Sequence, residues 1–148
     1  MATSFNFIDR LRNFFFGPRR DLVRYRIVEN ADLVVYWKVL KIGRGPAAAL
    51  YVFGQEVLRF DCFGENGHFH ARLDEAEKGS IDRKFFNERT VTKQIERSSE
   101  ELTRNLRSYM AGSKDPRIRD FEIDRESLEN AAFWMKARMN EYARGNAA

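Results

Sequence analysis

The chain contains two histidines, His68 and His70, one residue apart in a segment that reads as a β-strand. Successive strand side chains point to opposite faces, so both imidazoles point the same way. The strand before it reads Arg59-Phe60-Asp61-Cys62-Phe63, and a tight turn over Gly64 to Gly67 folds the two together. Asp61 then lies opposite His70 or Arg72, and both registers keep Arg59, Asp61, His68, His70 and Arg72 on one face. Leu58, Phe60, Cys62, Phe69, Ala71 and Leu73 line the other, where helices should pack. Carrying the pairing across a Gly54-Gln55 turn sets Ala48, Leu50 and Val52 beside the polar group, and the next strand adds Trp37 and Val39.

These residue types support several chemistries. In the plainest, the group is an ion-paired sheet face with Asp61 holding His70 or Arg72 across the strands. In another, Arg59 and Arg72, flanked by Trp37, form a site for an anionic ligand, because guanidinium groups match phosphate and carboxylate geometry. A catalytic version makes His68 and His70 general base and acid, with Arg59 and Arg72 stabilising a phosphorane-like transition state and Asp61 fixing a tautomer: a metal-independent ribonuclease scheme that needs no cofactor. Alternatively, His68, His70 and Asp61 are ligands for a divalent metal, although nearby Arg59 and Arg72 oppose a cation.

The elements that must position these groups follow from pattern and punctuation. Runs at 21–28, 33–42, 47–53, 55–63 and 67–73 are separated by Asn30, Gly43 to Pro46, Gly54-Gln55 and Gly64 to Gly67. Connections this short cannot cross a sheet, so the strands form a five-stranded antiparallel meander over 21–73. Before it, Ser4 caps a short aromatic helix within 1–17, ended by Gly17-Pro18. After a polar stretch from Asp74 to Arg89, Thr90 or Thr92 opens a helix over 90–112. Asp124 caps another over 125–144, whose buried stripe is Leu128, Ala132, Met135, Met139 and Tyr142. The expected fold is one α+β domain over 1–148, with the helices on one face of the sheet.

Composition narrows the class. Apolar residues make up 43% of 148 positions, including thirteen Phe, enough to fill one core without a covalent staple. The lone Cys62 excludes an internal disulfide and a cysteine zinc site, and it fits a reducing, cytoplasmic setting. No run approaches the roughly 18 apolar residues of a spanning helix, so no stable membrane association is expected. The net charge of +4 is concentrated in residues 1–44, with nine Lys or Arg against four Asp or Glu; this permits weak RNA contact without the dense basic stripe of a dedicated binder. GxGxxG, P-loop, GxSxG and CxxC motifs are all missing.

The string Glu56-Val57-Leu58-Arg59-Phe60-Asp61-Cys62-Phe63-Gly64, followed by Gly67-His68-Phe69-His70, resembles the core of an uncharacterised bacterial protein family. More remotely, an Arg-aromatic-Asp strand followed by a His-rich strand is similar to small toxins of toxin–antitoxin pairs. That resemblance implies functional roles for Arg59, Asp61, His68 and His70. Apolar residues on both sheet faces, Trp37, Val39 and Leu50 on one and Phe60, Phe69 and Tyr51 on the other, further suggest a homodimer or a protein partner.

Overall fold

A computed structural model describes residues 19–71 and 83–146. Six strands, β1 (Arg19–Val28), β2 (Ala31–Leu40), β3 (Gly43–Val52), β4 (Gln55–Asp61), β5 (His68–Ala71) and β6 (Lys84–Phe85), pair in sequential order. Every neighbouring pair is antiparallel. The meander is therefore as expected, with one strand more. Two residues are too few to show alternation, and β6 exists through its backbone pairing to β5. The expected helix at 1–17, together with Arg72, Leu73 and positions 74–82, lies outside the described residues.

The helical half begins with α1 (Val91–Glu100), a π-helical turn (Glu101–Asn105) and α2 (Leu106–Ala111), which together fill the expected 90–112 element. Thr90 caps it by accepting from the Lys93 N–H at 3.2 Å. The π turn carries a satisfied buried acid: Glu101 accepts from Arg97, Asn105 and Tyr109. A short α3 (Pro116–Arg119) leads to α4 (Arg125–Gly145), capped by Asp124 on the Ser127 N–H at 3.0 Å.

The main core lies between the helices and one sheet face. Leu33, Val35, Ala48, Leu50, Val52, Leu58, Phe60, Cys62 and Phe69 meet Ile95, Leu102, Met135 and Met139 there, all buried. Burying each such side chain is worth about 1.5–3 kcal/mol, and this layer is what holds the helices to the strands. No described helix is long and apolar enough to cross a membrane.

The other sheet face has a second, smaller cluster: Val34, Tyr36, Ala47, Ala49 and Tyr51. Its members are 0–4% exposed. Both faces are thus already buried, which removes the exposed sheet face on which the expectation of a homodimer rested. Among the described residues, the large apolar side chains that remain exposed are Ile42, Phe85 and Phe133.

Two turns differ from expectation. The β2–β3 turn is at Lys41-Ile42, and Gly43 to Pro46 already belong to β3. Glycine is needed at position 45 for close packing, since a Cβ there would lie 2.3 Å from the Cys62 carbonyl oxygen. The β3–β4 turn is Phe53-Gly54, both at positive φ, as a two-residue hairpin requires.

Candidate functional site

A β-bulge in β4 decides which residues share the histidine face. Tyr51 pairs with Glu56, but Leu50 pairs with Leu58, so Val57 is an extra residue and the alternation slips by one. Val57 and Leu58 both enter the helix-side core, leaving Glu56 and Arg59 on the opposite face as an ion pair at 2.9 Å. Beyond the bulge, Ala47 faces Asp61 and Ala49 faces Arg59. This corrects the expected flank: Ala48, Leu50 and Val52 lie on the helix side with Leu33 and Val35. Trp37 follows their parity, pairs with Pro46, and leaves the ligand site, as does Val39. Tyr51 moves the other way, to the histidine face. The shifted hairpin turn alone would have left these faces as expected; the single added residue reverses them.

Arg59, Asp61, His68 and His70 are brought together as expected. Asp61 sits opposite His68 and Arg59 opposite His70, two residues from the nearer of the two anticipated registers and therefore on the same face. The turn before β5 is held from the helical side, because the Gln94 carboxamide accepts from the Gly64 N–H at 3.0 Å and donates to the Gly64 and Glu88 carbonyls at 2.8 and 2.9 Å. A Cβ on Gly67 would lie 2.2 Å from Gln94 Oε1, so only glycine admits that contact without displacing it.

Asp61 is the centre of the group and is 0% exposed. Lys38 Nζ donates to its Oδ1 at 3.2 Å. Around Oδ2 lie His68 Nε2 at 3.0 Å, Arg59 Nε at 3.5 Å and His70 Nε2 at 3.8 Å. Among the described residues, Oδ2 is a buried oxygen without an aligned hydrogen-bond partner. Burial alone would raise the Asp61 carboxyl, but contact with His68 and the charges of Lys38 and Arg59 outweigh it and hold the group well below the usual carboxylate range. Burial lowers the Lys38 ammonium, with Asp61 offsetting part of the effect.

Sequence reasoning missed Lys38, Arg19, Tyr36, Tyr51 and Glu56. Arg19 donates to Tyr51 Oη at 3.2 Å, lies 4.6 Å from the Tyr36 ring centroid, and approaches Glu56 at 3.7 Å. Tyr51 in turn donates to Glu56 at 2.8 Å. The signals were present: Lys38 interrupts an apolar strand, and Glu56-Val57-Leu58-Arg59 breaks alternation where the bulge occurs.

Fold and site define the chain as an antiparallel α+β domain with a closed ionic cluster on the sheet face turned away from its helices. No family model matches this chain, and no curated protein or solved structure matches it either.

Proposed function

We propose that this domain is a small binding protein that holds an anionic ligand, a phosphate or carboxylate, against Arg19, Lys38 and Arg59. One observation carries the reading: polar groups buried on this face lack hydrogen-bond partners among the described residues. Arg19 Nε, Arg59 Nε and the Tyr36 hydroxyl are the groups concerned. A buried donor left unpaired costs about 1–3 kcal/mol, and more when charged, so such groups are retained where a ligand satisfies them. The charge agrees, since among the described residues of the cluster three cationic side chains, Arg19, Lys38 and Arg59, face two carboxylates, Glu56 and Asp61. A small ligand suits the closure, with His68 and His70 only 1% and 2% exposed.

The test uses inorganic phosphate and EDTA-treated protein. At about one hundred times its dissociation constant a ligand adds about 2.7 kcal/mol, which for a domain of this size raises Tm by about 5–10 °C. The rise is expected in wild type and absent in Arg19→Met and Arg59→Met. Asp61→Asn removes a negative charge beside the anion, so any folded fraction binds phosphate at least as tightly. If phosphate, acetate and succinate all leave Tm unchanged, the anion site is refuted.

The two imidazoles support a second reading, the metal-independent ribonuclease of toxin type. Their rings stand 5.0 Å apart, with Asp61 beside His68, which suits an acid–base pair acting on a phosphodiester held by Arg59. RNA cleavage that survives EDTA and is lost in both His68→Ala and His70→Ala distinguishes it from simple binding. Under either reading, a homodimer or protein partner through Phe85 and Phe133 is a separate proposal, tested by light scattering.

A further inference from the structure

We infer that Asp61, His68 and His70 form a binding site for a late first-row divalent metal such as Zn²⁺, Co²⁺ or Ni²⁺, independently of whether the neighbouring cations hold an anion. The inference starts from the hydrogen-bond inventory of His68. Its Nδ1 lies 2.8 Å from the Asn66 carbonyl oxygen, and its Nε2 lies 3.0 Å from Asp61 Oδ2. Both neighbours are acceptors, whereas a neutral imidazole has one N–H. A proton on Nδ1 satisfies Asn66 and leaves the Nε2 lone pair facing a carboxylate oxygen. A proton on Nε2 instead sets the Nδ1 lone pair against the carbonyl. Two arrangements remove the conflict: a second proton on the ring, or a metal ion shared by Nε2 and Oδ2.

The carboxylate selects between them. A second proton, on Nε2, would donate to Oδ2, yet that oxygen is fully buried and, among the described residues, without an aligned hydrogen-bond partner although nitrogen atoms surround it at 3.0–3.8 Å. Two of these nitrogens, His68 Nε2 and His70 Nε2, can present lone pairs, and an approach to the carboxylate oxygen without alignment is what ligands of a common ion show. With metal–ligand bonds of about 2.0–2.2 Å, donor atoms about 90–110° apart are separated by about 2.9–3.5 Å. His68 and Asp61 meet that spacing already. His70 Nε2, 3.8 Å from Oδ2, needs to close on the carboxylate by a few tenths of an ångström, and the widest separation in the trio, up to 4.8 Å, by as much as about 1.3 Å. One ligand atom from each of the three residues lies within 4.8 Å of the others.

The surroundings also suit a metal. The ligating histidine donates its remaining N–H to a backbone carbonyl, an outer contact that orients metal-bound imidazoles. The ligating carboxylate is held from its other oxygen by Lys38. Lys38 and Arg59 repel a cation, but Arg59 is also paired with Glu56. Their charge disfavours hard ions such as Mg²⁺ and Ca²⁺, whose binding depends on anionic oxygen, more than ions with high affinity for imidazole nitrogen. Three protein ligands leave at least one coordination position open for a co-ligand.

The experiment uses the full chain with its affinity tag removed, stripped with EDTA and returned to phosphate-free buffer. Co²⁺ and Zn²⁺ are titrated against a chromophoric chelator, and X-ray absorption is recorded on the Co²⁺ form of wild type. The expected result is one ion per chain, two imidazoles and oxygen in the coordination shell, and no competition from millimolar Mg²⁺. His68→Ala and His70→Ala should each weaken Co²⁺ binding by about 100-fold or more, given that losing even an outer contact costs about 10–100-fold. Absence of stoichiometric metal in folded wild type overturns the site, as does a shell with fewer than two imidazoles or unchanged affinity in both variants. The absorption measurement needs no variant, so it decides the matter even where a substitution prevents folding. Phosphate binding is measured on the EDTA-treated protein, so the metal and anion readings fail separately.

Discussion

Replacing Asp61 by Asn removes the one negative charge around which Lys38, Arg59 and His68 are arranged at 3.2, 3.5 and 3.0 Å. Asn retains the shape but not the charge, and the carboxylate it replaces is fully buried. Removing one partner of a buried ion pair costs about 3–5 kcal/mol, because the surviving charge remains desolvated without compensation. Against a total of about 5–15 kcal/mol for a domain, that is a large fraction. At roughly 2–4 °C per kcal/mol, Tm falls by about 6–20 °C. The effect depends on pH in a defined direction. The folded-state value of Asp61 is depressed below its unfolded value, so its contribution is fully present above the unfolded pKa and is lost as pH falls through the folded one. The unfolded value is about 3.9, so the advantage of wild type over Asp61→Asn is undiminished at pH 7 and begins to shrink below about pH 4. Urea titrations of metal-free protein, followed by circular dichroism at pH 7 and at pH 3, measure both quantities. A companion double variant, Lys38→Met with Asp61→Leu, removes both members of the hydrogen-bonded pair and should recover much of the loss, since apolar replacement of a buried pair is often close to neutral. An Asp61→Asn protein within about 1 kcal/mol of wild type, or a deficit equally large at pH 3, would show that the neighbouring cations do not depend on this carboxylate.

Gln94→Ala unties the turn before the histidine strand and should cost about 1–3 kcal/mol, the penalty of unpaired backbone groups at Gly64 and Glu88. Gly67→Ala displaces the same carboxamide, so the two substitutions should be non-additive by at least about 0.5 kcal/mol in a double-mutant cycle read by urea denaturation; strictly additive costs refute the coupling. Burial pushes the Cys62 thiol up to about 12, and the side chain is enclosed against Ser98. A thiol reagent at pH 8 should therefore label it only as fast as the protein unfolds, and labelling at the rate of an exposed thiol would contradict that enclosure.

Much of the framework is legible in the amino-acid order because its signals are local. Short breaks between alternating runs force neighbouring strands to be antiparallel. Helix caps at Thr90 and Asp124 and the Leu128–Tyr142 stripe depend on residues within a few turns of one another. The grouping of Arg59, Asp61, His68 and His70 survived even though the hairpin register differed, because a slip of two residues preserves the face.

What tertiary structure alone decided turns on parity and enclosure. One extra residue at Val57 transferred Ala48, Leu50 and Trp37 to the helix side and brought Glu56 and Tyr51 toward the histidines. The run Glu56 to Arg59 hints at a bulge, but the matching of β3 to β4 across the sheet determines which residue is left over. Lys38 and Arg19 entered the site by the same cross-strand route, from 23 and 42 positions away from Asp61 in the chain. Burial made the largest difference. The sequence supplies an acid, two imidazoles and several cations, which on an open surface would be screened and individually worth little; once the fold removes water from them, each unpaired nitrogen and oxygen carries a cost that only a precise partner can relieve.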